Sequence, residues 1–162
     1  MRHARLSVAV AVLALAACVS VADYETSAGP QELGAAEIVA ARQAAFHMSG
    51  AHMGNMRALA EGGGDPKSAA YAARGVARWA RVLPTLFPAN TAPITPSRAR
   101  PEIWANKADF NAKAAAFAEA ATRMADAAQS GDSAGFAVQW RATSATCTAC
   151  HDLYQVPAQP RS

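Results

Sequence analysis

The chain has 162 residues, about one domain's worth. It is 52% hydrophobic but only 7% aromatic, and about a quarter of it is alanine, the strongest helix former, which argues for an all-α fold and against a β-sandwich or a doubly wound sheet. The charged fraction of 17% excludes a disordered composition, and the formal charge of +3 falls to +1 once a leader containing Arg2 and Arg5 is removed; with the cations scattered, a nucleic-acid footprint is excluded too.

The first segment reads as an export signal, residues 1–22. A basic start at Arg2 and Arg5 precedes an apolar run from Leu6 to Val19, too short to span a bilayer. Two cleavage schemes fit. Ser20-Val21-Ala22 is a small-residue site that would release a chain starting at Asp23. Leu15-Ala16-Ala17-Cys18 resembles a bacterial lipoprotein box, with Cys18 acylated as the mature N-terminus. The second scheme accounts for the third cysteine, because an unpaired thiol in an exported protein otherwise has no role. Asp23 to Pro30 would then tether the chain to the membrane surface.

Four helices are predicted over residues 31–155, as an antiparallel four-helix bundle. The first runs from Gln31 to Glu61 and stops at Gly62-Gly63-Gly64. The second opens at Asp65-Pro66, an N-cap followed by a first-turn proline, and ends before Pro84. Its row Arg74, Arg78, Arg81 reads as a solvated face. The connection from Pro84 to Ala99 is long and proline-rich, which marks a functional or crossing loop. The third helix opens at Pro101 and runs to Ser130. Ile103, Phe110, Phe117 and Met124 recur along it every seven residues, with Ala114 and Ala121 between. Gly131 breaks the chain, Asp132 caps the fourth helix, and that helix runs to Tyr154. Phe136, Trp140, Cys147, Cys150 and Tyr154 continue its apolar stripe. Residues 156–162 are predicted to form a flexible tail.

Cys147-Thr148-Ala149-Cys150-His151 is a C-x-x-C-H run, the c-type haem attachment pattern. Thiols three residues apart share a helix face and can meet one porphyrin edge, and the histidine that follows can ligate the iron. One covalent haem c is therefore expected, with His151 as its iron ligand. A thioredoxin-like reading needs a βαβ context that this pattern lacks, and a structural zinc site needs a second ligand pair. His47 and His52 lie five apart on a helix and point roughly 140° from one another, a poor chelating pair.

With that motif at the end of a predicted bundle, the chain resembles the class II c-type cytochromes, specifically the cytochrome c-prime family. The resemblance spans Glu37 to Tyr154. It is carried by CTACHDLY at Cys147 to Tyr154, RPEIW at Arg100 to Trp104, and ARQAAF at Ala41 to Phe46. It implies His151 on one side of the iron and a first-helix residue, here Phe46, on the other. Low-spin relatives carry a ligating methionine at that position; phenylalanine has no lone pair, so an open but covered sixth site is expected. Arg42, one turn before Phe46, is implied as a partner of a haem propionate, a plain surface arginine being the alternative. The family's usual basic residue four positions after the motif histidine is Gln155 here. Dimerisation through the first two helices is implied as well, and the Gly50 and Gly54 pair would permit close helix approach.

Three functions follow as expectations. A five-coordinate iron behind an apolar cover without a hydrogen-bond donor suits nitric oxide and carbon monoxide. An exposed haem edge suits one-electron transfer with redox partner proteins in the periplasm. A low-spin His/Met centre would be an electron carrier alone, and Met53, two turns beyond Phe46 on nearly the same face, is the candidate second ligand; packing is the plainer role for Met53 and Met56. A peroxidase needs a distal histidine beside Arg42, and no histidine shares the Phe46 face, so the protein is not read as an enzyme.

Overall fold

The computed structural model describes residues 32–92, 94 and 97–157. The chain divides into two units, Met1–Glu32 and Leu33–Ser162. The export signal, both cleavage schemes and Cys18 lie outside the described residues, as do 158–162.

Five α-helices make the second unit: α1 (Ala35–Gly62), α2 (Ala70–Val82), α3 (Glu102–Ala105), α4 (Lys107–Ser130) and α5 (Ser133–Tyr154). The four long ones form the predicted bundle, and no strand occurs among the described residues. None of these helices is long and apolar enough to cross a membrane.

The stop signals act as their chemistry requires. α1 ends where Gly63 turns left-handed (φ 73°) and its N–H donates to Leu59 O, and α4 ends at left-handed Gly131 (φ 79°). Other side chains pay about 1 kcal/mol or more for that conformation. Asp132 caps α5 by accepting from Gly135 N at 2.9 Å.

Three boundaries differ from the sequence reading. α1 begins at Ala35, beyond the expected Gln31, because Gly34 is extended and offers no capping side chain. Asp65 does accept from Lys67 N, but the turn it starts, Pro66–Ala69, is 3₁₀ before α2 proper, and a second 3₁₀ turn, Leu83–Leu86, carries the chain through Pro84. The third helix is split at Asn106 (φ −116°, ψ 49°). Asparagine competes with helical backbone geometry, and Lys107 is drawn aside to donate to Phe87 O at 3.0 Å.

The heptad positions Ile103, Phe110, Phe117 and Met124 are all buried, with Ala114 and Ala121 between them. Burying each large side chain is worth about 1.5–3 kcal/mol. α4 makes the most extensive packing, against α5 and α2, while α1 lies across α5 and α2. Alanine dominates the seams, so α4 fits closely into its neighbours.

The connection after α2 closes one end of the bundle. Phe87 is buried among the rings of Phe46, Trp104 and Phe110. Ala99 pairs with Gln155 in an isolated antiparallel bridge, and Val156 N donates to Arg98 O at 2.8 Å. The first residue of the expected tail is therefore tied down, since Val156 both donates to and accepts from Arg98.

Candidate functional site

Cys147, Cys150 and His151 occupy the last two turns of α5. The two thiols are free and half-buried, and both line one cleft between α1, α2, α4 and α5. That cleft is mostly apolar, walled by Phe46, Met53, Trp79, Leu83 and Phe117, with a cavity volume of about 230 Å³. A second, more polar cleft adjoins it, lined by Arg42, Ser97, Arg98 and Gln155. Phe46, Cys150 and His151 belong to both. The Phe46 and His151 rings approach edge to face at 6.5 Å between centroids, and both rings line both clefts.

The electrostatics favour neutral ligands. Burial pushes the Cys147 thiol above its usual range. Burial also raises Cys150, helped by Cys147 and opposed by Lys113. Burial pulls His151 down, Arg98 lowers it further, and Asp152 works against both. Neutral imidazole is the metal-binding form of histidine. No cluster of three His, Cys, Asp or Glu suited to a bare metal ion occurs among the described residues.

Phe46 is held by more than its helix. Its ring meets Trp79 edge-on at 5.3 Å and Phe87 at 6.5 Å. Such pairs contribute about 0.5–1.5 kcal/mol each beyond burial. Met53 lines the apolar cleft and its carbonyl accepts from Trp140 Nε1. Met56 is core. His47 reaches the rim of the polar cleft, while Met48 is exposed.

Arg42 is not a surface arginine. It is 2% exposed and donates to Leu86 O at 3.1 Å, Thr91 Oγ1 at 3.0 Å and Ser97 Oγ at 3.0 Å. Its guanidinium stacks over Phe87 at 4.3 Å. All three acceptors are neutral, so the buried cation lacks a carboxylate partner among them. Burial pulls its pKa down, yet an arginine stays charged. A buried charge of this kind calls for an anion close by.

The cover is less wholly apolar than expected. Trp79 Nε1 is buried in the wall of the apolar cleft and has no acceptor among the described residues. An orphaned buried donor costs about 1–3 kcal/mol, so it too calls for a partner supplied from outside the chain. Nothing in the local sequence around Trp79 marks its loose N–H. Phe87 went unnoticed because the proline-rich connection carries no period to read.

Tyr154 closes the floor. It packs edge-on against Phe110 at 5.4 Å, and its hydroxyl donates to Asp109 Oδ2 at 2.5 Å. That bond, then burial, then the Asp109 charge push the phenol up to about 12. The folded chain thus holds this proton more tightly than the unfolded chain, where tyrosine titrates near 10. The resulting stability is fully present below about pH 10 and is lost as pH rises through about 12. Ring-labelled tyrosine NMR should show Tyr154 ionising well above the usual tyrosine range, with Asp109→Asn lowering it; a Tyr154 unaffected by Asp109→Asn would refute the bond.

A family model described as Cytochrome C' matches residues 37–155. A cytochrome c' from Pararhodospirillum photometricum is 33% identical over 115 residues, covering 70% of this chain and 92% of that protein. A cytochrome c-556 from Agrobacterium tumefaciens (strain B2A) is 33% identical over 117 residues, covering 71% and 93%. Among solved structures, cytochrome c' from Rubrivivax gelatinosus superposes with a TM-score of 0.72 at 29% identity, covering 78% of this chain and all of that one. A nitric oxide complex of a cytochrome c prime mutant from Alcaligenes xylosoxidans superposes at 0.69 with 26% identity, covering 77% and 98%.

Proposed function

Since the chain belongs to the cytochrome c' family, whose members carry one covalently bound c-type haem, we propose that it is a non-enzymatic haem protein of the periplasm that binds nitric oxide and carbon monoxide and passes single electrons. The observation that carries this reading is the Phe46 ring facing His151 with no ligating atom of its own. Nitric oxide bound in a structural neighbour supports the gas-binding part.

When bound, the haem supplies an iron that changes oxidation state by one electron and accepts axial ligands. The rest is the work of this chain. Cys147 and Cys150, on one helix face, would hold the porphyrin. His151 would offer a ring nitrogen to the iron. Phe46, braced by Trp79 and Phe87, would shield the iron from bulky or charged guests. Arg42 and Trp79 fit the group as well, since a buried unpaired cation and an orphaned donor both suit a guest that carries carboxylates. Of the described histidines, His151 lines both clefts and His47 the polar one.

Export by a signal within residues 1–22, with either release after Ala22 or a lipid anchor at Cys18, and a homodimer through α1 and α2 complete the proposal. Exposed Met48 and Tyr71 lie on those two helices.

A second reading is kept because Met53 lines the same cleft as Phe46. In it Met53 ligates the iron and the protein is a low-spin electron carrier. The absorption spectrum of the holoprotein, oxidised and reduced, with and without carbon monoxide, separates the two. A broad high-spin reduced band that sharpens with carbon monoxide is expected. A split low-spin spectrum indifferent to the gas would assign the sixth site to Met53 instead.

A further inference from the structure

We propose that Arg98 is an electrostatic tuning residue for the centre at His151: its guanidinium, clamped beside the imidazole by the end of the chain, disfavours the more positive oxidation state of the iron and raises its reduction potential. The inference rests on haem attachment at Cys147, Cys150 and His151.

Arg98 comes from the connection between α2 and α3, far in sequence from the motif. The residues after His151 hold it there. Its backbone O accepts from Val156 N at 2.8 Å, and its Nε donates to Val156 O at 2.8 Å. Its Nη2 donates to Gln155 Oε1 at 3.3 Å. The neighbours extend the clamp, as Ala99 bridges Gln155 and Arg100 N donates to Tyr154 O at 3.0 Å. An exposed arginine usually samples many rotamers, and holding it in one geometry costs entropy. Here a backbone ladder and two guanidinium bonds restrict it.

Both acceptors are neutral, so the charge is positioned without being neutralised. Gln155 carries no charge itself; it holds one. Arg98 and His151 line the same cleft, and Gln155 ties them together, since its N donates to His151 O at 3.0 Å while its Oε1 accepts from Arg98; the field of a cation fixed there opposes added positive charge at the site. The opposing carboxylate is Asp152. Lys113 and Asp109, which act on neighbouring Cys150, lie 3.9 Å apart and largely offset each other. Oxidation adds one positive charge to the iron that His151 ligates, and the same field acts on it. Arg98 is exposed, so salt should screen the effect.

The test compares wild type, Arg98→Gln and Arg98→Lys as full-length holoproteins, by spectroelectrochemical titration at neutral pH in low and high salt. At the wild-type midpoint in low salt, Arg98→Gln should stand about three- to tenfold towards the oxidised form, tenfold being about 59 mV for one electron. High salt should shrink that difference, and Arg98→Lys, which keeps the charge but not the two guanidinium bonds that hold it, should fall between wild type and Arg98→Gln. An unshifted Arg98→Gln, a lysine variant that behaves like the glutamine one, or a shift indifferent to salt would each overturn the inference. Haem staining after denaturing electrophoresis is read on the same samples. An unstained wild type would overturn the haem reading itself, whereas a stained wild type with an unshifted Arg98→Gln overturns the Arg98 assignment alone.

Discussion

Replacing Cys147 and Cys150 together by alanine is expected to abolish haem retention under denaturing conditions, while either single replacement leaves one linkage. The two sulfurs lie three residues apart on α5 and line one cleft, so each can serve a different position on the same porphyrin edge. They have no other role on view: both are free, and no metal cluster among the described residues claims them. The loss should reach stability as well. Phe46, Trp79 and Phe117 wall the cleft that the two sulfurs line, and a guest bound to the folded state alone stabilises it by mass action. The double variant should therefore melt lower than wild type by calorimetry and show no haem stain. A stained band from the double variant would sink the attachment site. His151→Ala separates anchoring from ligation, because it should keep the stain and lose the spectrum of a histidine-bound iron.

What could be read in advance followed from what leaves a local trace. The motif is contiguous, so Cys147, Cys150 and His151 needed no fold to be found. The seven-residue recurrence of Ile103, Phe110, Phe117 and Met124 located the core of the third bundle helix, because burial repeats with the helical period. The glycine and proline punctuation marked most helix ends. The rest depended on contacts across the chain. Whether Arg42 is buried depends on Leu86, Thr91 and Ser97, which lie 44 to 55 residues away. Phe87 sits in a connection without periodicity, yet it carries the stacked guanidinium and one of the contacts that brace Phe46. Arg98 meets the end of α5 through a bridge that spans the whole third and fourth bundle helices. The split at Asn106 was hidden because an asparagine inside a strongly periodic segment costs little by propensity alone. It shows once Lys107 is drawn to Phe87 O.

Phe46→Ala is expected to speed carbon monoxide association to the reduced holoprotein by about five- to 150-fold, read by flash photolysis. The magnitude follows from what holds the ring. To clear the space opposite His151 the ring has to leave its edge contacts with Trp79 and Phe87. At about 0.5–1.5 kcal/mol each, losing both corresponds to a barrier of about 1–3 kcal/mol, and 1.4 kcal/mol is tenfold in rate. The alanine variant has no ring to move and so no such barrier. Phe46→Leu, which keeps bulk but loses the ring contacts, should fall between. Phe46→Met is the opposite probe, because it offers a thioether where phenylalanine offers none; it should turn the reduced spectrum low-spin and slow the gas reaction. Met53→Ala should leave both spectrum and rate near wild type. If Phe46→Ala binds carbon monoxide at the wild-type rate while Met53→Ala binds it faster, the lid is wrongly assigned and the methionine guards the iron. Stability gives an independent check. Phe46 is half-buried, so its truncation should cost less than the 3–5 kcal/mol typical of a fully buried phenylalanine. A full-sized loss would mean that the ring is bundle core first and a cover second.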